Sequence, residues 1–445
     1  MQISLQEVAA NAVQARSRIR HHIYQTPLIP ARRIGHDQGA KVLFKAENFQ
    51  LTGSFKIRGA LSKLSSPSAQ GPLITASSGN HGIGASLAAR VLAKDLTVVL
   101  PDTIVQAKLD KIKSFGVEVI LHGVETGLAE QHAQQLAASG SYNYISPYND
   151  AEVIAGQGTI GLQILEQLEE VANVFISMGG GGLLSGVGSV LKTFRPETKI
   201  YGVSASNSKA LAASLTAGHV VETDHFPTLA EAVAGGIDPD TITLGLASAV
   251  VDYVIECNEA EILSSAQALA VQENIIAEGS AALALAGFNK VAEKLTGQTS
   301  VVLLCGGNVD HDYIRKAATG LAQKAKIRRR LEGTTSGAAG GKSFAAAVMV
   351  LTIDFNVQAL VMCDPKGRVD TAVVAGKRPR TVAFANCFNA VTSNGVPHYA
   401  AASTIADVEL RFMARNVPKR AASVVSVLTE WCIIAILVKS FQVVI

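Results

Sequence analysis

The chain is sparing with charge and with cysteine. Charged residues make up 17% of its 445 positions and the formal net charge is +3. No global field therefore points to nucleic acid or to an acidic membrane surface, and a small molecule is the expected partner. The five cysteines, Cys257, Cys305, Cys363, Cys387 and Cys432, are scattered without a C-x-x-C pair or a Cys/His ligand spacing. That pattern excludes a disulfide framework and suits a reducing compartment, so the cytoplasm is expected. No uninterrupted apolar run reaches the ~18 residues of a membrane span, because the last apolar segment is broken by Glu430 and Lys439. The first twenty residues carry Glu7 and no long apolar core before a small-residue cleavage site, and they read as a helix of the mature protein. There is no G-K-[ST] phosphate loop and no G-x-G-x-x-G fingerprint, which argues against a nucleotide or dinucleotide site.

Hydrophobic residues account for 48% of the chain, enough for two or three globular domains. From residue 72 onward, short apolar runs alternate with longer segments of helical period, the pattern of βαβ units. Strands are expected at 73–76, 96–100, 117–121 and 142–145, with helices over 80–93, 104–115 and 126–139. A second series has strands at 173–178, 199–203, 251–256 and 300–305. Between its members, Asn258 followed by Glu261 forms a capping box ahead of the apolar period of 262–271. Near-continuous Val, Ile and Leu suggest parallel sheets covered on both faces. The expectation is two doubly wound α/β domains with a cleft between them: residues 1–70 with 150–323 in the larger, and 71–149 in the smaller. After residue 323 come a basic run (324–330), a Gly-rich stretch (333–343) and apolar patches at 345–355 and 432–438, the last read as a terminal helix. Residues 324–445 receive no fold assignment; a regulatory or oligomerisation module and an extension that does not fold both fit.

Four short stretches could carry chemistry. In ENFQLTGSFKIRGA (47–60), Gly53 and Ser54 make a tight turn, Phe55 is a flat apolar neighbour and Lys56 supplies an amine; a single lysine is more often a solvated surface charge. SSGNHG (77–82) lies between a strand and a helix, where unpaired N–H groups and the side chains of Ser77, Ser78, Asn80 and His81 could clamp a carboxylate. A capped helix with a polar first turn fits that stretch equally well. GGGGLLSG (179–186) follows a strand and opens a helix, so bare backbone N–H groups can cradle a phosphate at the positive end of the dipole, although a flexible turn is the alternative. CGGN (305–308) ends an apolar strand, which puts Cys305 at the cleft unless it is an ordinary buried thiol.

Together these stretches meet the needs of pyridoxal phosphate bound to an amino acid. KAENFQLTGSFKIRGA (45–60), SSGNHG, VIAGQGTIGLQIL (153–165), GGGGLLSG and LLCGGNVD (303–310) resemble the fold-type II pyridoxal-phosphate enzymes, whose fold is that of the tryptophan synthase β chain. Within them, the threonine/serine dehydratase and serine racemase branch is the more similar, over roughly residues 5–322. The resemblance implies a Schiff base on Lys56, Phe55 against the ring and Asn80 on the ring hydroxyl. Gly179, Gly180, Gly181, Gly182 and Leu183 would hold the phosphate. Ser77, Ser78, Gly79, Asn80 and His81 would take the substrate, with Ser78 as the proton donor of a racemase. Cys305 would stand opposite the pyridine nitrogen, where the family usually has serine, and Glu278 matches a carboxylate near the cofactor. The implied activity is an ammonia-lyase turning L-threonine into 2-oxobutanoate or L-serine into pyruvate, in a homo-oligomer, dimer or tetramer. A racemase, a 3-hydroxyaspartate lyase and a non-catalytic binder are the alternatives. Two positions depart from the family. Ser204 and Ala210 replace acidic ligands, so no metal is expected there, and AEAVAGG (230–236) alters an Ala-Asp-Gly turn, leaving Glu231 and Ala232 to shape the pocket.

Overall fold

The Ser4 hydroxyl accepts the Glu7 N–H and opens the expected helix, α1 (Leu5–Ile19), whose Val8, Ala12, Ala15 and Ile19 turn inward. The computed structural model describes residues 3–317, except 312 and 316, together with the backbone of 348–353, 357–363 and 369–375. The chain divides into two units, Met1–Leu331 and Glu332–Ile445.

In the first unit the described strands form two sheets. The larger is built from β1 (Leu28–Pro30), β2 (Lys41–Ala46), β7 (Asn173–Ser177), β8 (Lys199–Ala205), β9 (Tyr253–Cys257) and β10 (Thr299–Leu304), in the order β1-β2-β10-β7-β8-β9. The smaller has β3 (Leu73–Ala76), β4 (Leu96–Leu100), β5 (Glu118–Leu121) and β6 (Asn143–Tyr144), in the order β5-β4-β3-β6. All neighbours run parallel except β1 and β2, which pair antiparallel. The expected strands lie within a residue or two of these bounds. β1 and β2 precede every expected strand, and β1 adds an antiparallel edge to the parallel sheet. β9 departs from the expectation of strands covered on both faces, since Tyr253 and Val254 are exposed on this edge strand.

The helices alternate with the strands: α2 (Lys56–Leu64), α3 (Asn80–Leu92), α4 (Gln106–Lys113), α5 (Thr126–Ala138), α6 (Ala151–Gln167), α7 (Gly182–Phe194), α8 (Ala210–Ala217), α9 (Thr243–Val250), α10 (Glu259–Ala268) and α11 (Gly279–Val291). The Asn258/Glu261 capping box is formed, and the apolar period beyond it is α-helical as far as Ala268. Residues Leu269–Glu273 make a π turn that ends at Asn274 in the left-handed region. The core of the larger sheet contains Phe44, Val174, Phe175, Leu184 and Val301 to Leu304. Ile57, Ala60, Leu61 and Leu64 of α2 share their core with Leu73, Val98 and Leu100 of the smaller sheet. The core of that sheet therefore begins before the expected boundary at 70/71. No helix among the described residues is long and apolar enough to cross a membrane.

In the second unit, β11 (Val348–Ile353), β12 (Val357–Cys363) and β13 (Val369–Ala375) form an antiparallel meander, so the apolar patch at 345–355 holds a strand. The basic run 324–330, the Gly-rich stretch 333–343 and the expected helix over 432–438 lie outside the described residues.

Candidate active site

Each sheet of the first unit has one place where the chain reverses its direction of strand addition. In the larger sheet it falls between β10 and β7, and in the smaller between β3 and β6. Such switch points leave a crevice beyond the strand ends, because the two connections leave in opposite directions. The loops there are Cys305–Asn308 and Met178–Gly181 on the larger sheet, and Ser77–Gly79 and Ile145–Asp150 on the smaller.

Lys56 connects them. Gly53, at φ +74°, turns the chain so that residues 53–55 pair with the loop after β10. Phe55 N–H donates to the Cys305 carbonyl (3.0 Å), Gly307 N–H donates to the Gly53 carbonyl (2.8 Å), and Ser54 bridges Gly306. From the other side, α3 approaches closely at Gly84, where an added Cβ would lie 3.1 Å from the Ile57 nitrogen. Held between, the Lys56 amine donates to the Pro147 carbonyl in the loop after β6 (2.8 Å) and sits 5.3 Å from the centroid of the Phe55 ring. Burial draws its pKa down to about 8, against the opposing pull of the Glu130 and Glu278 carboxyls. The Cys305 thiol is buried, and burial pushes its pKa well above the usual value, so it stays neutral.

The glycine loop is shaped by what surrounds it. Gly181 is at φ +88°, and a Cβ on Gly180 would overlap the Tyr148 ring, 2.4 Å from its nearest atom. Thr243 Oγ1 donates to the Gly180 carbonyl (2.7 Å). The first N–H groups of α7 have no intrahelical acceptor, as at any helix start. The turn at 230–236 packs on this loop through Val233, whose Cα lies 2.9 Å from where a Gly179 Cβ would stand, and Ala232 N–H donates to Ser280 Oγ (3.0 Å). A loop of bare N–H donors at the positive end of a helix fits a phosphate.

The loop after β3 differs from expectation in one side chain. The His81 imidazole is 3% exposed and turns to the sheet, with Nε2 at 3.0 Å from Thr75 Oγ1 and 3.3 Å from the Ile145 carbonyl. Thr75 spends its own proton on the Ile145 carbonyl (2.8 Å), so Nε2–H is the donor and Nδ1 is left a bare acceptor. Burial, with the charge on Lys56, holds the ring neutral down to about pH 3. A neutral ring facing the sheet cannot clamp a carboxylate, so the expected contact from His81 can come only through its backbone N–H at the start of α3. Ser77 Oγ accepts the Gly79 N–H (3.3 Å); both serines are half-buried.

Asn80 joins the two sheets. Its Nδ2 donates to both oxygens of Glu278 (3.0 and 3.1 Å), and its Oδ1 accepts from Asn308 Nδ2 (2.7 Å). Glu278 is 7% exposed, and burial raises its pKa to about 7, opposed by the Asn80 and Asn308 donors. The folded carboxyl holds its proton more tightly than the unfolded one, so the folded state is favoured most below the ordinary carboxylate value and loses stability as pH rises toward 7. Glu278→Gln should abolish that slope, and urea titrations of both proteins between pH 4.5 and 7.5 measure it. An unchanged slope would show that Glu278 is not the group responsible. Pro147, Tyr148 and Asn308 were not among the expected site residues. Asn308 closes the CGGN stretch already singled out, whereas Pro147 and Tyr148 lie in a loop with no motif.

A lysine shared by the switch points of two parallel sheets, facing a phosphate-type cradle, defines an α/β enzyme for a phosphorylated cofactor. Residues 19–306 match the model of the pyridoxal-phosphate dependent enzymes, and the chain belongs to that family, with the type II fold and pyridoxal phosphate as its cofactor. An L-threonine ammonia-lyase of Thermotoga maritima is 35% identical over 305 residues, covering 68% of this chain and 75% of the relative. Among solved structures, the processed form of threonine deaminase isoform 2 from Solanum lycopersicum superposes with a TM-score of 0.67 at 31% identity, over 71% of this chain and 92% of that one. A serine racemase from Dictyostelium discoideum gives a TM-score of 0.63 at 30% identity, over 70% and 100%.

Proposed function

We propose that the protein is a pyridoxal-phosphate-dependent ammonia-lyase that converts L-threonine to 2-oxobutanoate and ammonia, and L-serine to pyruvate and ammonia. The observation that carries this reading is the Lys56 amine, enclosed between the two sheets and lowered to about 8, where it can lose and regain a proton near neutral pH. Gly179 to Gly182 and Leu183 would hold the cofactor phosphate through backbone N–H groups, with Phe55 beside the ring, Asn80 on the ring hydroxyl and Cys305 opposite the ring nitrogen. Bound there, pyridoxal phosphate supplies an electron sink that acidifies the Cα–H of the amino acid.

The chain's own groups do the rest. Ser77, Ser78 and the N–H groups of Gly79, Asn80 and His81 would hold the substrate carboxylate at the start of α3. Lys56, as the base, would take the Cα proton, its lowered pKa bringing it close to the working pH. Cys305 remains a neutral thiol and so brings no negative charge to the ring nitrogen, which favours expulsion of the β-substituent over long residence of the carbanion. Glu130 of α5, which accepts from the Tyr144 hydroxyl, and Asp238, bonded to Tyr148 and Asn149, bring two carboxyl groups to this corner, which disfavours a further carboxylate on the substrate. This supports threonine and serine over 3-hydroxyaspartate. The scattered cysteines support a cytoplasmic setting, and the family resemblance supports a homo-oligomer.

Steady-state assays with L-threonine, L-serine, D-serine and 3-hydroxyaspartate test the reading. We expect 2-oxo acid from the first two, and a kcat/KM for 3-hydroxyaspartate at least about tenfold lower, the scale of one unfavourable polar contact. Interconversion of L- and D-serine faster than pyruvate release would favour a racemase, with Ser78 as its second proton donor.

A further inference from the structure

The amide of Asn80 is held in one orientation by two residues from the other sheet. Its Oδ1 accepts from Asn308 Nδ2 (2.7 Å), and its Nδ2 donates to both oxygens of Glu278 (3.0 and 3.1 Å). The arrangement is polar and directional. Asn308 Nδ2 also donates to the Thr52 carbonyl (2.8 Å), so both of its protons are spent and it cannot present its own oxygen to Asn80. Glu278 is seated from behind: its N–H donates to the Gly306 carbonyl (3.0 Å), its carboxylate accepts the Asn308 N–H (3.3 Å), and a Cβ on Gly306 would lie 2.6 Å from its carboxyl carbon. The Asn80 Nδ2 has two protons, and contacts of nearly equal length to the two oxygens of one carboxylate can be served by one of them. The other is left for a ligand.

We propose that Asn308 is a positioning residue. Together with Glu278 it fixes the Asn80 amide with its N–H2 toward the cofactor, so that Asn80 meets the ring hydroxyl as a donor and never as an acceptor. The inference rests on the reading of Asn80 as the contact to that hydroxyl, but not on which amino acid is the substrate. A flipped amide would set its oxygen against the Glu278 carboxylate and its N–H2 against the Asn308 N–H2, so both partners oppose the flip. Asn308 itself is exposed, but its amide serves the buried Asn80 Oδ1 and the Thr52 carbonyl, so the urea midpoint of each variant is compared with the parent to confirm that it folds.

The test compares Asn308→Ala and Asn308→Asp in the full-length chain, freed of cofactor and titrated with pyridoxal phosphate alone. Both the dissociation constant and the wavelength of the bound band are read. Asp has the shape of Asn but accepts where Asn donates. Orientation by the donor therefore requires the Asp variant to bind more weakly than the Ala variant, whereas packing alone requires it to match the parent. We expect roughly a tenfold loss for Ala and a larger loss with a shifted band for Asp, the scale of one directed polar contact. Parental affinity and an unshifted band in Asn308→Asp would overturn the proposal. Asn80→Ala separates the two layers: if it weakens binding while Asn308→Asp does not, only the positioning role fails, and if neither does, the Asn80 contact fails with it.

Discussion

Lys56→Ala is expected to lower kcat/KM for L-threonine by about a thousandfold or more, in the range set by loss of a positioned general base and covalent anchor, and to abolish the visible band of lysine-bound cofactor. The expectation follows from the surroundings of the amine. Its amine donates to the Pro147 carbonyl, and burial draws its pKa down to about 8. Lys56→Arg is the stricter variant. It retains the charge and much of the bulk, but a guanidinium does not give up its proton near neutral pH. It should fold and still lack activity, with cofactor bound, if at all, through the phosphate cradle alone. An Arg variant within tenfold of the parent would show that Lys56 is not the base.

The second large effect is on stability. Arg58, two residues after Lys56, is fully buried with Glu47. Its Nε and Nη2 donate to the two Glu47 oxygens (2.7 and 2.8 Å), and Nη1 donates to Thr159 of α6 (3.1 Å). The same cluster takes in Lys45, whose amine donates to the Thr26 carbonyl (2.7 Å) and to Gln163 (2.8 Å). Burial alone would raise the Glu47 carboxyl, but the Arg58 guanidinium outweighs it and holds the group below the usual range. Removing one partner leaves the other charge buried without compensation, so Glu47→Ala or Arg58→Ala should cost about 3 to 5 kcal/mol, measured as a fall in the urea midpoint. Replacing both with apolar residues of similar size should cost less than either single change. Because the Glu47 pKa is depressed, its contribution is present above the unfolded carboxylate value and is lost as pH falls through the folded one. This is opposite in sign to Glu278. Single variants that unfold at the parental urea concentration would show that the pair contributes little.

Much of this was legible along the chain. The strands from Leu73 to Leu304 are runs of Val, Ile and Leu between turn residues, and the glycine run carries its own reason for existing, since Tyr148, Val233 and Thr243 leave no room for side chains there. Other parts depend on partners far away in sequence. Leu28–Pro30 is a three-residue edge with no period to detect, formed only because β2 offers it a ladder. Glu47, Arg58 and Lys45 look like surface charges one at a time, and only the meeting of residues 24–26, β2, α2 and α6 buries them. His81 sits in a polar turn and reads as a clamp until Thr75 and Ile145 take its ring. Asn308 stood in the motif of Cys305, but its role depends on Asn80, which lies 228 positions away.

The most direct test of the central claim is to saturate the full-length protein with pyridoxal phosphate, add L-threonine and follow 2-oxobutanoate and ammonia together. The account predicts both products in equal amounts, at a rate that Lys56→Ala reduces to background. A folded protein that shows the lysine-bound cofactor band and releases neither product from threonine or serine would contradict it.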